Sequence, residues 1–230
     1  MKLSVVIPVY NEGATVLKLL EKVREVDLNL EKEVIVIDDG STDGTDKILE
    51  PLKNSGLIKV YSHKINQGKG AALKTAFRHA SGDILIIQDS DLEYEPREYA
   101  SLLDPIINHG AEVVYGSRLS GGKPVRAYMF WHKVANNILT LVTDLLYNTT
   151  ITDMETGYKV FKKDVVKNID IKSKDFTVEP EITAKILKKR YKLYEVPITY
   201  YGRSYAEGKK IRWYHGIKAI CALIIYRFID

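Results

Sequence analysis

The chain runs to 230 residues, 45% of them hydrophobic and 28% charged, with one cysteine and a net charge of +4. Those figures exclude a disordered chain, a collagen-like repeat and a disulfide scaffold, and the length suits one domain able to bury roughly 70–75% of its unfolded surface. The five histidines lack paired-ligand spacing, which argues against zinc. No run reaches the roughly 18 apolar residues of a spanning helix, and the strand-like start reads as a cytoplasmic chain without a signal peptide.

The first half alternates strand and helix. Leu3–Val9 is an apolar run ending in Pro8-Val9-Tyr10-Asn11, and Ala14–Val26 follows with Val16, Leu19, Leu20 and Val23 at helical spacing. Glu33–Asp38 reads as a strand that stops at Asp38-Asp39-Gly40-Ser41-Thr42-Asp43-Gly44, whose turn chemistry caps a helix to about Asn54. Leu57–Ser62 is a third strand, Gln67-Gly68-Lys69-Gly70 opens a helix to about Ala80, and Ile84–Gln88 is a further buried strand. A helix from Pro96 and a strand at Val113–Gly116 complete this half.

Beyond it, Ser120–Lys123 is a glycine-rich loop and Phe130–Tyr147 a helix with Val134, Ile138, Leu141 and Leu145 on one face. Thr152–Gly157 is a polar turn before a possible strand, Tyr158–Phe161. A helix at Glu179–Arg190, a strand at Lys192–Pro197 and a loop rich in Tyr, Gly and basic residues at Tyr200–Lys210 come next. The last helix, from Arg212, presents Trp213, Ile217, Ile220, Cys221, Ile224 and Phe228 as one stripe, facing either the core or a membrane. Residues 1–211 read as one domain and 212–230 as an appended amphipathic helix.

Near-continuous apolar strands separated by helices predict an α/β fold with a mostly parallel sheet covered on both faces. Ligands of such sheets bind beyond the carboxyl ends of the strands. Those ends are Tyr10–Glu12, Asp38-Asp39 and Asp89-Ser90-Asp91, so three acidic clusters converge on one edge. Two carboxylates one residue apart after a buried strand suit Mg²⁺ or Mn²⁺, which take oxygen ligands and bridge to a diphosphate. A P-loop and a dinucleotide-binding glycine fingerprint are both missing. Between Lys185 and Lys218 stand ten Lys or Arg against Glu195 and Glu207, a basic stretch pointing to an anionic partner or a solvated helix face.

Four segments carry a resemblance: Val6-Ile7-Pro8-Val9-Tyr10-Asn11-Glu12, Val36-Ile37-Asp38-Asp39-Gly40-Ser41-Thr42-Asp43-Gly44-Thr45, Asn66-Gln67-Gly68-Lys69-Gly70 and Gln88-Asp89-Ser90-Asp91. In order and spacing they resemble family-2 glycosyltransferases of the Rossmann-like GT-A fold. Three later segments resemble the dolichyl-phosphate-mannose and polyprenyl-phosphate-glucose synthase branch. They are Tyr115-Gly116-Ser117-Arg118, Asp153-Met154-Glu155-Thr156-Gly157-Tyr158-Lys159 and Gly202-Arg203-Ser204-Tyr205-Ala206-Glu207-Gly208-Lys209-Lys210.

The resemblance implies a nucleotide-sugar donor, GDP-mannose or UDP-glucose, and a polyprenyl or dolichyl phosphate acceptor. It implies that Pro8, Tyr10, Glu12, Ile37 and Asp39 line the base and ribose pocket and that Gly68 and Lys69 close over it. Asp89, Ser90 and Asp91 would hold the metal and diphosphate, with Glu93 as a further metal ligand where many relatives carry Gln. Asp91 and Asp153 are the catalytic candidates, and Arg118, Lys133, Arg203 and Lys209 would gather the acceptor phosphate.

A phosphate monoester is mostly deprotonated near neutrality, so such an acceptor needs cations to align it more than a base to activate it. One in-line displacement then inverts the anomeric carbon. A hydroxyl acceptor on a glycan would instead require a general base, for which Asp153 and Glu155 are the candidates, each having a turn or salt-bridge role as its alternative. A lipid acceptor implies a peripheral position at the cytoplasmic face of a membrane. The basic stretch, the last helix and Tyr128, Phe130 and Trp131 fit that position, and a membrane partner subunit is the other route to it. A nucleic-acid-binding module is disfavoured, because the acidic strand ends would repel a polyanion.

Overall fold

The computed structural model describes residues 1–127, 129–204 and 213–229. Seven strands, β1 (Lys2–Val9), β2 (Glu31–Asp38), β3 (Lys59–Ser62), β4 (Ile84–Ile87), β5 (Val113–Ser117), β6 (Lys159–Lys162) and β7 (Leu193–Pro197), form one sheet in the order β3-β2-β1-β4-β6-β5-β7. Every pair is parallel except those made by β6, which lies antiparallel between β4 and β5. The helices are α1 (Val16–Glu25), α2 (Thr45–Asn54), α3 (Lys69–His79), α4 (Tyr99–Asn108), α5 (Phe130–Tyr147), α6 (Lys163–Lys167), α7 (Val178–Lys188) and α8 (Trp213–Phe228). A 3₁₀ turn at Pro96–Glu98 leads into α4, so the helix read from Pro96 starts three residues later.

Strand alternation builds the two cores. Val5, Ile7 and Val9 face α1, α2 and α4, while Val6, Ile35, Ile37 and Leu85 face α3, α6 and α7. Val16, Leu19, Leu20 and Val23 are the buried face of α1, as their spacing predicts. The cap of α2 differs in detail: Gly44 occupies the cap position at φ +90°, and the side-chain acceptor comes from Asp43, whose Oδ1 receives Thr45 N–H at 3.0 Å.

Two apolar stripes have the predicted period but not a core-facing direction. On α5, Leu139, Thr140 and Thr143 are buried, while Ile138, Leu141 and Leu145 are exposed. On α8, Ala219, Ala222 and Leu223 pack inward, whereas Ile217, Cys221, Ile224 and Phe228 face outward. Leu139, Ile151, Met154, Ala219 and Leu223 make a third small core joining the two helices. The basic stretch is not one surface either. Lys185 is buried against Glu181 at 2.6 Å, and Arg203 turns into the strand-end site.

At the opposite end of the sheet from the acidic edge, Glu33 ties strands together. It accepts Ser4 Oγ at 2.6 Å, Lys59 Nζ at 2.8 Å and Ser81 N–H at 2.7 Å. Burial by itself would raise this carboxyl, but the bonds from Lys59, Ser4 and Ser81 hold it well below its ordinary value of 4.5. A carboxyl whose folded value is depressed stabilises the fold above its unfolded value and loses that contribution as pH falls. Glu33→Gln should therefore lower the melting temperature at neutral pH and flatten its decline below about pH 4.5, as read by thermal melts across pH 2–7.

Candidate active site

β1, β2 and β4 end side by side, with Val9 opposite Asp38 and Val6 opposite Ile87. The segments that follow them are stitched together by their own polar side chains. Ser90 Oγ donates to Pro8 O at 3.1 Å, Thr15 Oγ1 donates to Ser90 O at 2.9 Å, and Thr42 N–H donates to the Asn11 side chain at 2.8 Å. Asn11 takes φ +51° to make that turn.

Asp39 organises the nucleotide side. Its carboxylate meets His63 Nδ1 at 2.6 Å, Gln67 N–H at 3.0 Å and Gly68 N–H at 2.7 Å. Gly68 has φ +96°, and a Cβ there would run into the Lys174 carbonyl, so the start of α3 requires glycine. Pro8, Tyr10 and Glu12 lie on this edge, but Ile37, expected to line the pocket, has no exposed surface and packs beneath α3. It faces the core because strand alternation directs Ile35 and Ile37 to the same side.

Lys69, expected over the base and ribose, points to the carboxylates beyond β4. Its Nζ lies 2.7 Å from Asp89 Oδ1 and 2.9 Å from Glu179 Oε1. Glu179 in turn pairs with Lys159, which is completely buried on β6 and also donates to the Met154 and Thr156 carbonyls. Sequence reasoning missed both Glu179 and Lys159. The signal available was a charged residue in the first turn of a helix and a lysine inside an apolar strand. Behind Asp89, Gln88 is pinned by the hydroxyls of Tyr99 at 3.0 Å and Tyr158 at 2.9 Å. Gly157 packs so closely on Asp89 that a Cβ would strike the carboxylate.

Arg203 reaches into the acidic cluster, with Nη2 at 3.1 Å from Glu12 Oε1 and 3.3 Å from Asp91 Oδ2. Glu93 holds that segment in place: one oxygen accepts the Tyr200 hydroxyl and the other Arg203 N–H, each at 2.6 Å. These bonds tie Glu93 to the 200–203 segment. Burial, then the carboxylates of Asp89 and Glu93, push Asp91 up to about 7, with Arg203 acting the other way.

Among the described residues no three His, Cys, Asp or Glu side chains are grouped to hold a metal on protein atoms alone. The donor chemistry of Asp89 and Asp91 still fits Mg²⁺ or Mn²⁺. These are hard oxygen ligands with excess negative charge around Asp91, and a nucleotide-bound divalent ion takes one or two carboxylates and completes its shell with phosphate and water.

On the acceptor side, Arg118 is fixed by Asp153, which has no exposed surface. Arg118 N–H, Nε and Nη2 all donate to that carboxylate within 2.9 Å, and Asn136 adds a bond at 2.9 Å. Burial would raise the Asp153 carboxyl, and the Arg118 guanidinium outweighs it, holding it below its ordinary value. Glu195 secures the same turn through the N–H groups of Thr152 and Asp153. Lys133 is exposed and lines an open cavity of about 350 Å³ with Leu119, Asn137, Thr140, Leu141, Asp144 and Thr152. Lys209, Tyr128 and Arg212 lie outside the described residues.

A mostly parallel seven-stranded α/β sheet with paired acids beyond its strand ends is a GT-A-type fold. The model of glycosyl transferase family 2 matches residues 4–170, and the chain belongs to that family. It is 30% identical over 91% of its length to a dolichol-phosphate mannosyltransferase of Pyrococcus furiosus, of which it spans 59%. It is also 27% identical over 96% of its length to a UDP-N-acetylglucosamine–dolichyl-phosphate N-acetylglucosaminyltransferase of Methanococcus voltae, spanning 94% of that protein. In fold it is similar to glucosyl-3-phosphoglycerate synthase of Mycobacterium tuberculosis, solved with Mn²⁺, UDP and glucosyl-3-phosphoglycerate. The TM-score is 0.76 at 20% identity, over 100% of this chain and 81% of that one.

Removing Glu179 would strand Lys159 in the core and Lys69 beside Asp89. Glu179→Ala should cost about 3–5 kcal/mol of stability, as expected for breaking a buried ion pair, and denaturant unfolding measures it. A loss below about 1 kcal/mol would mean that Lys159 finds other partners.

Proposed function

We propose that the chain transfers a hexose from a nucleoside-diphosphate sugar to a polyprenyl or dolichyl phosphate at a membrane surface, inverting the anomeric carbon. The observation that carries this reading is the Arg118–Asp153 pair. Asp153, one of the two acids of the turn that could serve as a base, is fully engaged in aiming a guanidinium, which suits a phosphate acceptor and leaves Glu155 as the acid a hydroxyl acceptor would need. Lys133 and its cavity extend the same side of the molecule. The two dolichyl-phosphate relatives, one named for mannose and one for N-acetylglucosamine, support the acceptor class and leave the sugar open.

In this reading Asp39 shapes the base pocket through the 63–68 segment, while Asp89 and Asp91 would hold a divalent ion, whose chemistry would be to neutralise charge on the diphosphate. Lys69 stands beside Asp89 as a fixed positive charge for the same phosphates. Arg203 exchanges Glu12 and Asp91 for phosphate as substrates arrive. An acceptor oxygen then attacks opposite the nucleotide, and alignment supplies most of the rate.

Among the described residues no helix is long and apolar enough to cross a membrane. Surface contact would come through α5 and α8, where Trp131 is 76% and Phe228 80% exposed.

A thin-layer assay with membrane lipid extract, Mg²⁺ or Mn²⁺, and labelled GDP-mannose, UDP-glucose or UDP-N-acetylglucosamine tests the reading. Label should enter a mild-acid-labile lipid with one donor, whereas its appearance only on a hydroxyl-bearing product would refute the acceptor. Asp91→Ala should reduce transfer by about 10²-fold or more with the fold intact by circular dichroism, and substantial residual turnover would sink the metal assignment. For Arg203→Ala, transfer to lipid phosphate should fall while nucleotide binding survives. Doubling Trp131→Asp with Leu145→Asp should weaken co-flotation with anionic vesicles and leave the melting temperature within a few degrees.

A further inference from the structure

Glu155 is a half-buried acid with no role in the scheme above. One of its carboxylate oxygens, Oε1, is shielded from solvent and has no hydrogen-bond partner. A shielded carboxylate oxygen left unbonded is costly, and in a native fold it calls for a partner that arrives from outside. Its position narrows what that partner is. Two residues before it, Asp153 grips Arg118 on the acceptor side. Two residues after it, Gly157 packs against the Asp89 carboxylate on the donor side. The charges that act on it come from both sides, Glu179 and Lys159 from the group that holds Lys69, and Arg118 and Asp153 from the other. Glu155 therefore stands between the diphosphate ligands and the acceptor cation, where the group being transferred must lie.

We infer that Glu155 is a specificity-determining residue, whose carboxylate accepts a hydrogen bond from a hydroxyl or amide N–H of the transferred sugar. A phosphate is excluded as its partner because like charges repel. A metal ion is not called for either, because the neighbouring charges are already matched, Lys159 with Glu179 and Arg118 with Asp153. A neutral, donor-rich ring satisfies the oxygen without adding charge. A site built to bond a substrate hydroxyl also rejects sugars that lack it, since the buried acceptor is then left unpaired.

The inference rests on the nucleotide-sugar reading, and calorimetry on the intact chain separates the two. Wild-type protein, Glu155→Ala and Glu155→Gln are titrated with each nucleotide sugar and with the matching nucleoside diphosphate in the presence of Mg²⁺. The wild type should bind one nucleotide sugar more tightly than its diphosphate. Glu155→Ala should lose about 10-fold or more of the sugar nucleotide's affinity and leave the diphosphate within twofold. Glu155→Gln, which keeps an acceptor oxygen, should recover part of the difference. A Glu155→Ala variant that loses both ligands together, keeps both, or binds normally and fails only in transfer overturns the inference, the last outcome making Glu155 a base for the acceptor. A wild-type chain that binds no nucleotide sugar overturns the underlying reading as well.

Discussion

Four charges of alternating sign, the buried Lys159 and Glu179 and the half-buried Lys69 and Asp89, tie the segment beyond β4 to the core. Neither Lys159 nor Glu179 would be tolerated alone at its depth, because desolvating a single ion costs several kcal/mol. Alternation makes the set self-consistent, and each member comes from a different element. Lys159 lies on the antiparallel strand β6, Glu179 in the first turn of α7, Lys69 at the start of α3 and Asp89 just beyond β4. A carboxylate in the first turn of α7 is also favoured by the helix dipole. The diphosphate end of the site is thus an outgrowth of the core, and Gly157 lets the backbone close on the other side of Asp89.

The remaining cations are held differently. Arg118 is locked by a bidentate contact to a fully buried Asp153, with Glu195 bracing the backbone beneath. Arg203 instead divides its guanidinium between two acids, the buried Glu12 and the half-buried Asp91. Glu93 keeps the arginine's backbone in place while leaving its guanidinium able to change partners. One rigid and one exchangeable arginine suit a site that must first hold its acidic ligands apart from each other and later accept phosphates among them.

The parallel half of the fold was readable because near-continuous apolar runs have few ways to be buried, and the strand-end acids followed from that. The inversion of β6 was not readable: Lys159–Lys162 has no feature that sets its direction, which comes from the path of the chain through α5 and the 151–158 turn. Helical spacing on α5 and α8 showed that Ile138, Leu141 and Leu145, or Ile217, Ile224 and Phe228, share a face. Periodicity says nothing of what the face meets, and small residues such as Ala219 and Ala222 took the packed side because they allow close helix approach. Ile37 shows the same limit at one residue, since a motif position near a ligand does not settle which way a strand side chain points. Glu179 stayed hidden because its partners lie 20 and 110 residues away in sequence, so only the folded chain brings them together.

The outward faces of α5 and α8 bear on the acceptor more directly than any single residue. Lys133 shares α5 with the exposed Trp131, Ile138, Leu141 and Leu145, and Leu141 also lines the cavity that Lys133 borders. Thr152 lines the same cavity, one residue before the aspartate that aims Arg118. Cationic and apolar surface therefore meet along one helix and one turn. A small water-soluble phosphate would use the cations and leave the apolar side chains in water, where each forgoes about 1.5–3 kcal/mol of burial. A phosphate carrying an isoprenoid tail would use both, and a membrane holding such a lipid would cover the rest of the two helices. The uncovered surfaces of the two helices thus agree with the proposed lipid-phosphate acceptor, and they carry no information on the sugar.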